Sequence, residues 1–123
     1  MIYIDGDALK TLRPGKQWVW RGNGYSGLEW LDSGTAPTED EINTELTRLN
    51  NAEPMRLLRV ERDKRLAACD WVCAKATDTG VAVSDAWKTY RQALRDLPAS
   101  ASPKLDSEYE LDLTSVTWPT KPS

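Results

Sequence analysis

Two stretches decide how this chain folds: Arg56–Trp71, with the sequence RLLRVERDKRLAACDW, and Ser84–Pro98, with the sequence SDAWKTYRQALRDLP. In the second, Trp87, Tyr90, Leu94 and Leu97 recur at spacings of three, four and three, which is one stripe of a helix with 3.6 residues per turn. Lys88, Arg91, Arg95 and Asp96 fill the other faces. A lone helix of about four turns is marginal in water, so the aromatic stripe needs a cover. The first stretch supplies one. Its Leu58, Leu66 and Cys69, with Leu57, Val60 and Ala67 beside them, form a broader apolar stripe on a surface otherwise carried by Arg and Glu. The expectation is an antiparallel helical hairpin joined by a loop from Val72 to Val83.

Upstream, Pro37-Thr38-Glu39-Asp40-Glu41 reads as a helix start. Thr38 is the expected N-cap, Glu41 closes a capping box, and the acidic residues sit at the positive end of the helix dipole. Ile42, Leu46 and Leu49 continue the stripe, and Asn50-Asn51 and Pro54 interrupt it. An interior proline loses a hydrogen bond and clashes with the preceding turn, so a kink or break is expected near Asn50 to Glu53. The alternative is one long bent helix from Thr38 to Trp71, carried by tertiary packing. The expected helices are about 38–53, 55–71 and 84–97, with Ser84 capping the last.

Before the helices, Lys16–Trp20 and Tyr25–Leu31 are aromatic-rich runs around Gly22-Asn23-Gly24, the pattern of a β-hairpin. Trp18 and Trp20 share a face if extended, and Trp30 pairs with them or with Tyr25. Two strands are barely stable alone in water, so this face must pack on a helix, a further strand or another protein. Met1–Ile4 reads as a short strand ended by Asp5-Gly6-Asp7, and Ala8–Leu12 as a helical turn stopped by Pro14 and Gly15. After Pro98 a linker-like Ala-Ser-Ala-Ser-Pro leads to a tail whose apolar anchors, Val116 and Trp118, suit an extended segment laid on the helices.

The fold class is therefore α+β: a Trp-rich hairpin module (1–36), a helical region (37–99) and an extended C-terminal tail (100–123). At 123 residues the chain buries roughly two-thirds of its unfolded surface, enough for a modest core. Its net charge of -3 comes from 19 acidic and 16 basic side chains that are well mixed. With no basic face, nucleic acid is not an expected partner. No apolar run approaches the roughly 20 residues that span a bilayer, and the N-terminus lacks signal-peptide character, so neither membrane association nor export is expected.

The chemistry present is sparse. There is no histidine, which removes the side chain best suited to proton transfer near neutral pH. Cys69 and Cys73 lack the further soft ligands that a zinc site needs and read as buried or half-buried free thiols. Carboxylates lie on helix surfaces or alternate along the tail, without the spacing of a calcium loop or a glycosidase pair. No nucleophile–base pair, metal site or cofactor is expected, and no enzyme.

Three segments carry a resemblance: LRVERDKRLAACDW at Leu58–Trp71, AWKTYRQALRDLP at Ala86–Pro98 and VTWPTKP at Val116–Pro122. A basic-acidic helix ending in Asp-Trp, then a helix with Trp, Tyr-Arg and Ala-Leu-Arg-Asp, then a terminal Trp-Pro, resembles the C-terminal domain of bacteriophage tail assembly chaperone-like proteins. The resemblance covers the chain from Arg56 onward. The loop departs from it, because Val72–Val83 lacks the family's proline and glutamine-rich entry and brings Cys73 and Gly80 instead. The resemblance implies a protein that binds a tail or tail-fibre subunit, acts in the host cytoplasm during assembly or stays in the virion tail, and joins a larger homo- or hetero-oligomeric assembly. The expected partner-binding residues are Trp18, Trp20, Trp30, Trp71, Trp87, Tyr90 and Trp118. The alternative is a carbohydrate-binding tip module of a tail fibre, with Trp18, Trp20 or Trp30 stacking on sugar.

Overall fold

The computed structural model of the chain describes residues 3–22 and 24–123. Its first element is helix α1 (Asp5–Leu12). Asp5 and Asp7 belong to the first turn, where the helix dipole favours negative charge, and the Asp7 carboxylate accepts the Ile4 N–H at 2.9 Å. The Asp-Gly-Asp expected to end a strand thus opens a helix. Tyr3 and Ile4 are irregular, and the rest of the expected Met1–Ile4 strand lies outside the described residues.

Strands β1 (Trp18–Trp20) and β2 (Leu28–Trp30) pair antiparallel, with Trp18 opposite Trp30 and Trp20 opposite Leu28. Alternation along each strand puts these four side chains on one face. That face closes over Ala8 and Leu9 of α1 and over Ile42, all buried. Tyr25, expected in the second strand, instead starts a 3-10 turn, Tyr25–Gly27. Its hydroxyl donates to the Pro37 carbonyl at 2.7 Å, tying the hairpin to the segment that precedes the next helix.

Helix α2 (Glu39–Ala68) starts where the sequence places it. The Thr38 hydroxyl oxygen accepts the Glu41 N–H at 3.2 Å, and the hydroxyl lies 3.3 Å from the Glu41 carboxylate. Of the kink or break expected near Pro54, the break does not occur: the residues on both sides of it belong to one helical element. Pro54 offers no N–H to the Asn50 carbonyl, but the turn before it is held by side chains. Asn50 donates through its amide to the Leu46 carbonyl at 2.9 Å and accepts the Tyr3 N–H at 3.2 Å. Buried Glu53 accepts the Tyr3 hydroxyl at 2.5 Å.

The chain divides into two compact units, Met1–Glu53 and Pro54–Ser123. In the second, α2 is followed by α3 (Trp71–Thr79) and α4 (Asp85–Ser100). The connection expected to be a loop is largely helical. Thr77 and Thr79 turn their hydroxyls back to the Cys73 and Lys75 carbonyls, which lets polar β-branched residues sit in a helix. Gly80, at a φ of 73°, closes α3 with its N–H on the Ala76 carbonyl. Ser84 caps α4 by accepting the Trp87 N–H at 3.4 Å. Pro98 does not stop α4, because the Ala101 N–H still reaches the Leu97 carbonyl at 3.0 Å beyond it.

Contacts between the second half of α2 and α4 run in opposite order along the two helices. Leu58 packs with Leu97, Arg62 donates to the Arg95 carbonyl at 3.3 Å, and Arg91 donates to the Leu66 carbonyl at 3.1 Å. Leu58 and Leu94 are fully buried in this seam, whereas Val60 is 48% exposed. The C-terminal segment returns to the helices through short turns. Leu105 bridges Leu111, the Asp112 carboxylate caps a 3-10 turn at Leu113–Ser115, and Val116 is buried with Leu58 and Leu97.

Candidate partner-binding site

The aromatic residues of the second unit form a graded series from solvent to core. Trp71, the first residue of α3, is 52% exposed, and its ring meets that of Trp87 edge to face at 5.6 Å and 76°. Trp87, half-buried in the first turn of α4, meets Tyr90 at 5.9 Å and 76°. Tyr90 is buried with Cys69 and Leu94. Such edge-to-face pairs add stabilisation beyond their buried area and fix ring orientation. The exposed indole is therefore anchored through its neighbours to the helix seam.

Arg91 holds the junction between α2 and α3 in place. Its guanidinium donates to the Leu66 carbonyl at 3.1 Å, contacts the Cys69 sulfur at 3.1 Å and pairs with Asp70 at 3.0 Å. Partial burial weighs against the cation, but the hydrogen bonds to Cys69 and Asp70 outweigh it and raise the Arg91 pKa. Arg91 is a further donor to the Leu66 carbonyl, which already accepts the Cys69 N–H at 3.1 Å where α2 ends. Cys69 is buried as expected, while Cys73, expected to be at least half-buried, is exposed, because α3 turns its face outward.

Between α3 and the start of α4 lies a groove of about 190 Å³, walled by Trp71, Val72, Ala76, Val81, Val83 and Trp87. Val81 on its rim is 69% exposed. The walls are mostly apolar, with Lys75, Thr79 and Ser84 also lining the space, so the groove offers chiefly burial of hydrocarbon. Val72, Ala76 and Val81 were missed as site residues because their segment read as a loop. The signal was available in Val72, Ala76 and Thr79, which recur at four and three before a glycine.

The remaining aromatic candidates lie elsewhere. Trp118 is half-buried, with its ring beneath Arg65 and its indole N–H donating to the Leu113 carbonyl at 3.1 Å. Trp18, Trp20 and Trp30 belong to the first unit and pack on its core. Trp18 and Trp20 meet at right angles at 6.4 Å, and the Trp30 indole nitrogen is buried without a hydrogen-bond partner among the described residues. Among those residues no group of acidic, cysteine or histidine side chains is placed to hold a metal ion. None of their helices is long and apolar enough to cross a membrane.

A family model described as phage tail assembly chaperone protein matches residues 55–123. The match spans more than half of the chain and takes in the groove, the helix seam and the C-terminal segment. No curated protein and no solved structure matches the chain. Over that span the chain belongs to the family of phage tail assembly chaperone proteins.

Proposed function

We propose that the protein serves tail assembly by holding a phage tail or tail-fibre subunit through the groove between α3 and α4, and that it acts by contact, without catalysis. The observation that carries this reading is the exposed Trp71, braced edge to face on Trp87, beside a rim residue, Val81, that leaves most of its surface in water. A groove of about 190 Å³ is smaller than the roughly 300–1,000 Å³ of sites that enclose whole small molecules, so it suits one apolar side chain of a protein. Full burial of such a side chain is worth about 1.5–3 kcal/mol. That is strong enough to shield a client's apolar residue and weak enough to release it. In this reading the protein works in the host cytoplasm while tails are built, and mass spectrometry of purified particles decides whether it remains in the virion.

The test is co-expression with the tail and tail-fibre proteins of the same phage, followed by co-purification. The wild-type chain should carry a tail subunit with it. Trp71→Ala and Val81→Asp, both at exposed positions, should lose that subunit while retaining helical circular dichroism. Equal capture by wild type and both variants would remove the groove from the mechanism.

A further inference from the structure

The first unit holds a second concavity that the assembly reading does not use. It has a volume of about 430 Å³ and is lined by Ile4, Asp5, Gly6, Trp18, Trp20 and Gly24. Its two indoles stand perpendicular, 6.4 Å apart, so they present faces in two directions. Gly6 keeps α1 close to them: a Cβ there would stand 3.1 Å from the Trp18 ring. Among the described residues, a Cβ at Gly24 would meet nothing within 4 Å. Trp20 is held by its indole N–H, which donates to the Gly24 carbonyl at 2.9 Å.

Asp5 is the one charged residue among the described residues that line this space. The Asp5 carboxylate makes no hydrogen bond or ion pair among the described residues, and no Lys or Arg lines the concavity. Aromatic faces attract cations through their quadrupole, and a carboxylate adds Coulomb attraction of the same sign. A sugar would need several donors and acceptors around it, whereas here the one lining carboxylate stands alone and the Trp20 N–H is already committed. Ile4 on the rim is 68% exposed and gives an apolar surface to a methylene stem. Long cationic side chains lay such a stem along apolar surface while their head groups meet charge. A free small cation would leave that surface unused.

From this arrangement we infer that the pocket between α1 and the β-hairpin binds a lysine or arginine side chain carried on a polypeptide, with its head group between Asp5 and the Trp18 and Trp20 rings. The site lies in the first unit and goes beyond the groove reading, so either can fail without the other.

The experiment follows the tryptophan indole N–H signals of the full ¹⁵N-labelled chain by NMR. Acetyl-arginine amide should shift Trp18 and Trp20 saturably and leave Trp71 and Trp87 in place. Acetyl-norleucine amide, which keeps an apolar stem and lacks the charge, should bind at least roughly threefold more weakly. Asp5→Asn, near-isosteric and tolerated at a helix start, should weaken the arginine probe by roughly fivefold, and Asp5→Lys should abolish its binding. Equal binding of the norleucine probe, no effect of either Asp5 variant, or shifts produced by maltotriose and not by arginine amide would each overturn the assignment, the last in favour of a sugar.

Discussion

The Arg65 guanidinium lies 4.0 Å from the centre of the Trp118 ring, so a cation on α2 covers the aromatic anchor of the C-terminal segment. Arg65 is itself steadied by Glu61 one turn earlier, at 3.1 Å. Trp118 packs against both buried clusters of the second unit. Because Trp118 is only half-buried, Trp118→Ala should cost about 2 kcal/mol, below the roughly 3–5 kcal/mol of a fully buried aromatic. Arg65→Met, which keeps the stem and loses the charge, should cost about 0.5–1 kcal/mol. Urea melts give the energies, and trypsin cleavage after Lys104 should accelerate in Trp118→Ala. An unchanged cleavage rate would mean the segment is held by other contacts.

The seam between α2 and α4 should be far less tolerant. Leu94 is fully buried, and Leu94→Ala should destabilise by about 2–5 kcal/mol, a large part of the roughly 5–15 kcal/mol that holds a domain folded. Trp87→Ala should cost less, about 1–3 kcal/mol, since its ring shares its outer side with exposed Trp71. A reversed ranking in urea denaturation would place the core of the unit nearer the groove.

At the hairpin, a Cβ on Gly27 would lie 1.9 Å from the Arg21 carbonyl oxygen, and the Gly27 carbonyl accepts the Arg21 N–H at 2.8 Å. Backbone cannot swing aside as a side-chain tip can. Gly27→Ala should therefore cost about 3 kcal/mol or more and disturb the near-ultraviolet signal of Trp20 and Tyr25. A thermal midpoint within experimental error of wild type would show that the loop re-forms around the methyl group.

Arg91 serves a carbonyl, a sulfur and a carboxylate with one planar fork. Lysine offers a point charge and cannot meet all three, so Arg91→Lys should cost about 1–2 kcal/mol, from the hydrogen bonds that a single ammonium cannot replace. Double-mutant analysis with Asp70→Asn should show that the exposed ion pair supplies less than about 1 kcal/mol of this. A coupling larger than the whole effect of Arg91→Lys would reverse that apportionment.

Two carboxylates make stability depend on acid. Asp32 is held below its ordinary pKa chiefly by the Ser33 N–H and then by that of Gln17. Asp112 is lowered by the Thr114 hydroxyl and then by the Thr114 N–H. A carboxyl whose folded pKa is depressed stabilises the fold above its unfolded pKa, about 4, and loses that contribution as pH falls through the folded value. Stability should thus be flat near neutrality and decline below about pH 4. Asp32→Asn and Asp112→Asn should each flatten that decline. Acid melts that superimpose on wild type would separate these turns from the acid response.

How far the sequence could be read differs from element to element. Thr38 and Ser84 announced their helices because a cap is a local bond between residues three apart. The Trp18, Trp20 and Trp30 face was legible because strand alternation has a strict period. Pro54 does not break α2 and Pro98 does not stop α4: each removes a single N–H, while Asn50 and Ala101 still bond to the turns beside them and Tyr3 binds Asn50 from far along the chain. The α3 helix was hidden because its polar threonines resemble loop residues until their hydroxyls are seen to bond backward.

Apolar spacing, capping residues and turn glycines are short-range properties, and they sufficed for an α+β chain with a helix seam of Leu58, Leu94 and Leu97. Which aromatic rings stay in water is a different kind of fact. Trp71 and Tyr90 look alike as apolar residues on helices, yet one is half in solvent and the other buried, because burial depends on what a distant segment lays over each ring. The groove beside Trp71 and the pocket beside Asp5 arise in the same way, from surfaces that meet only after the chain has folded.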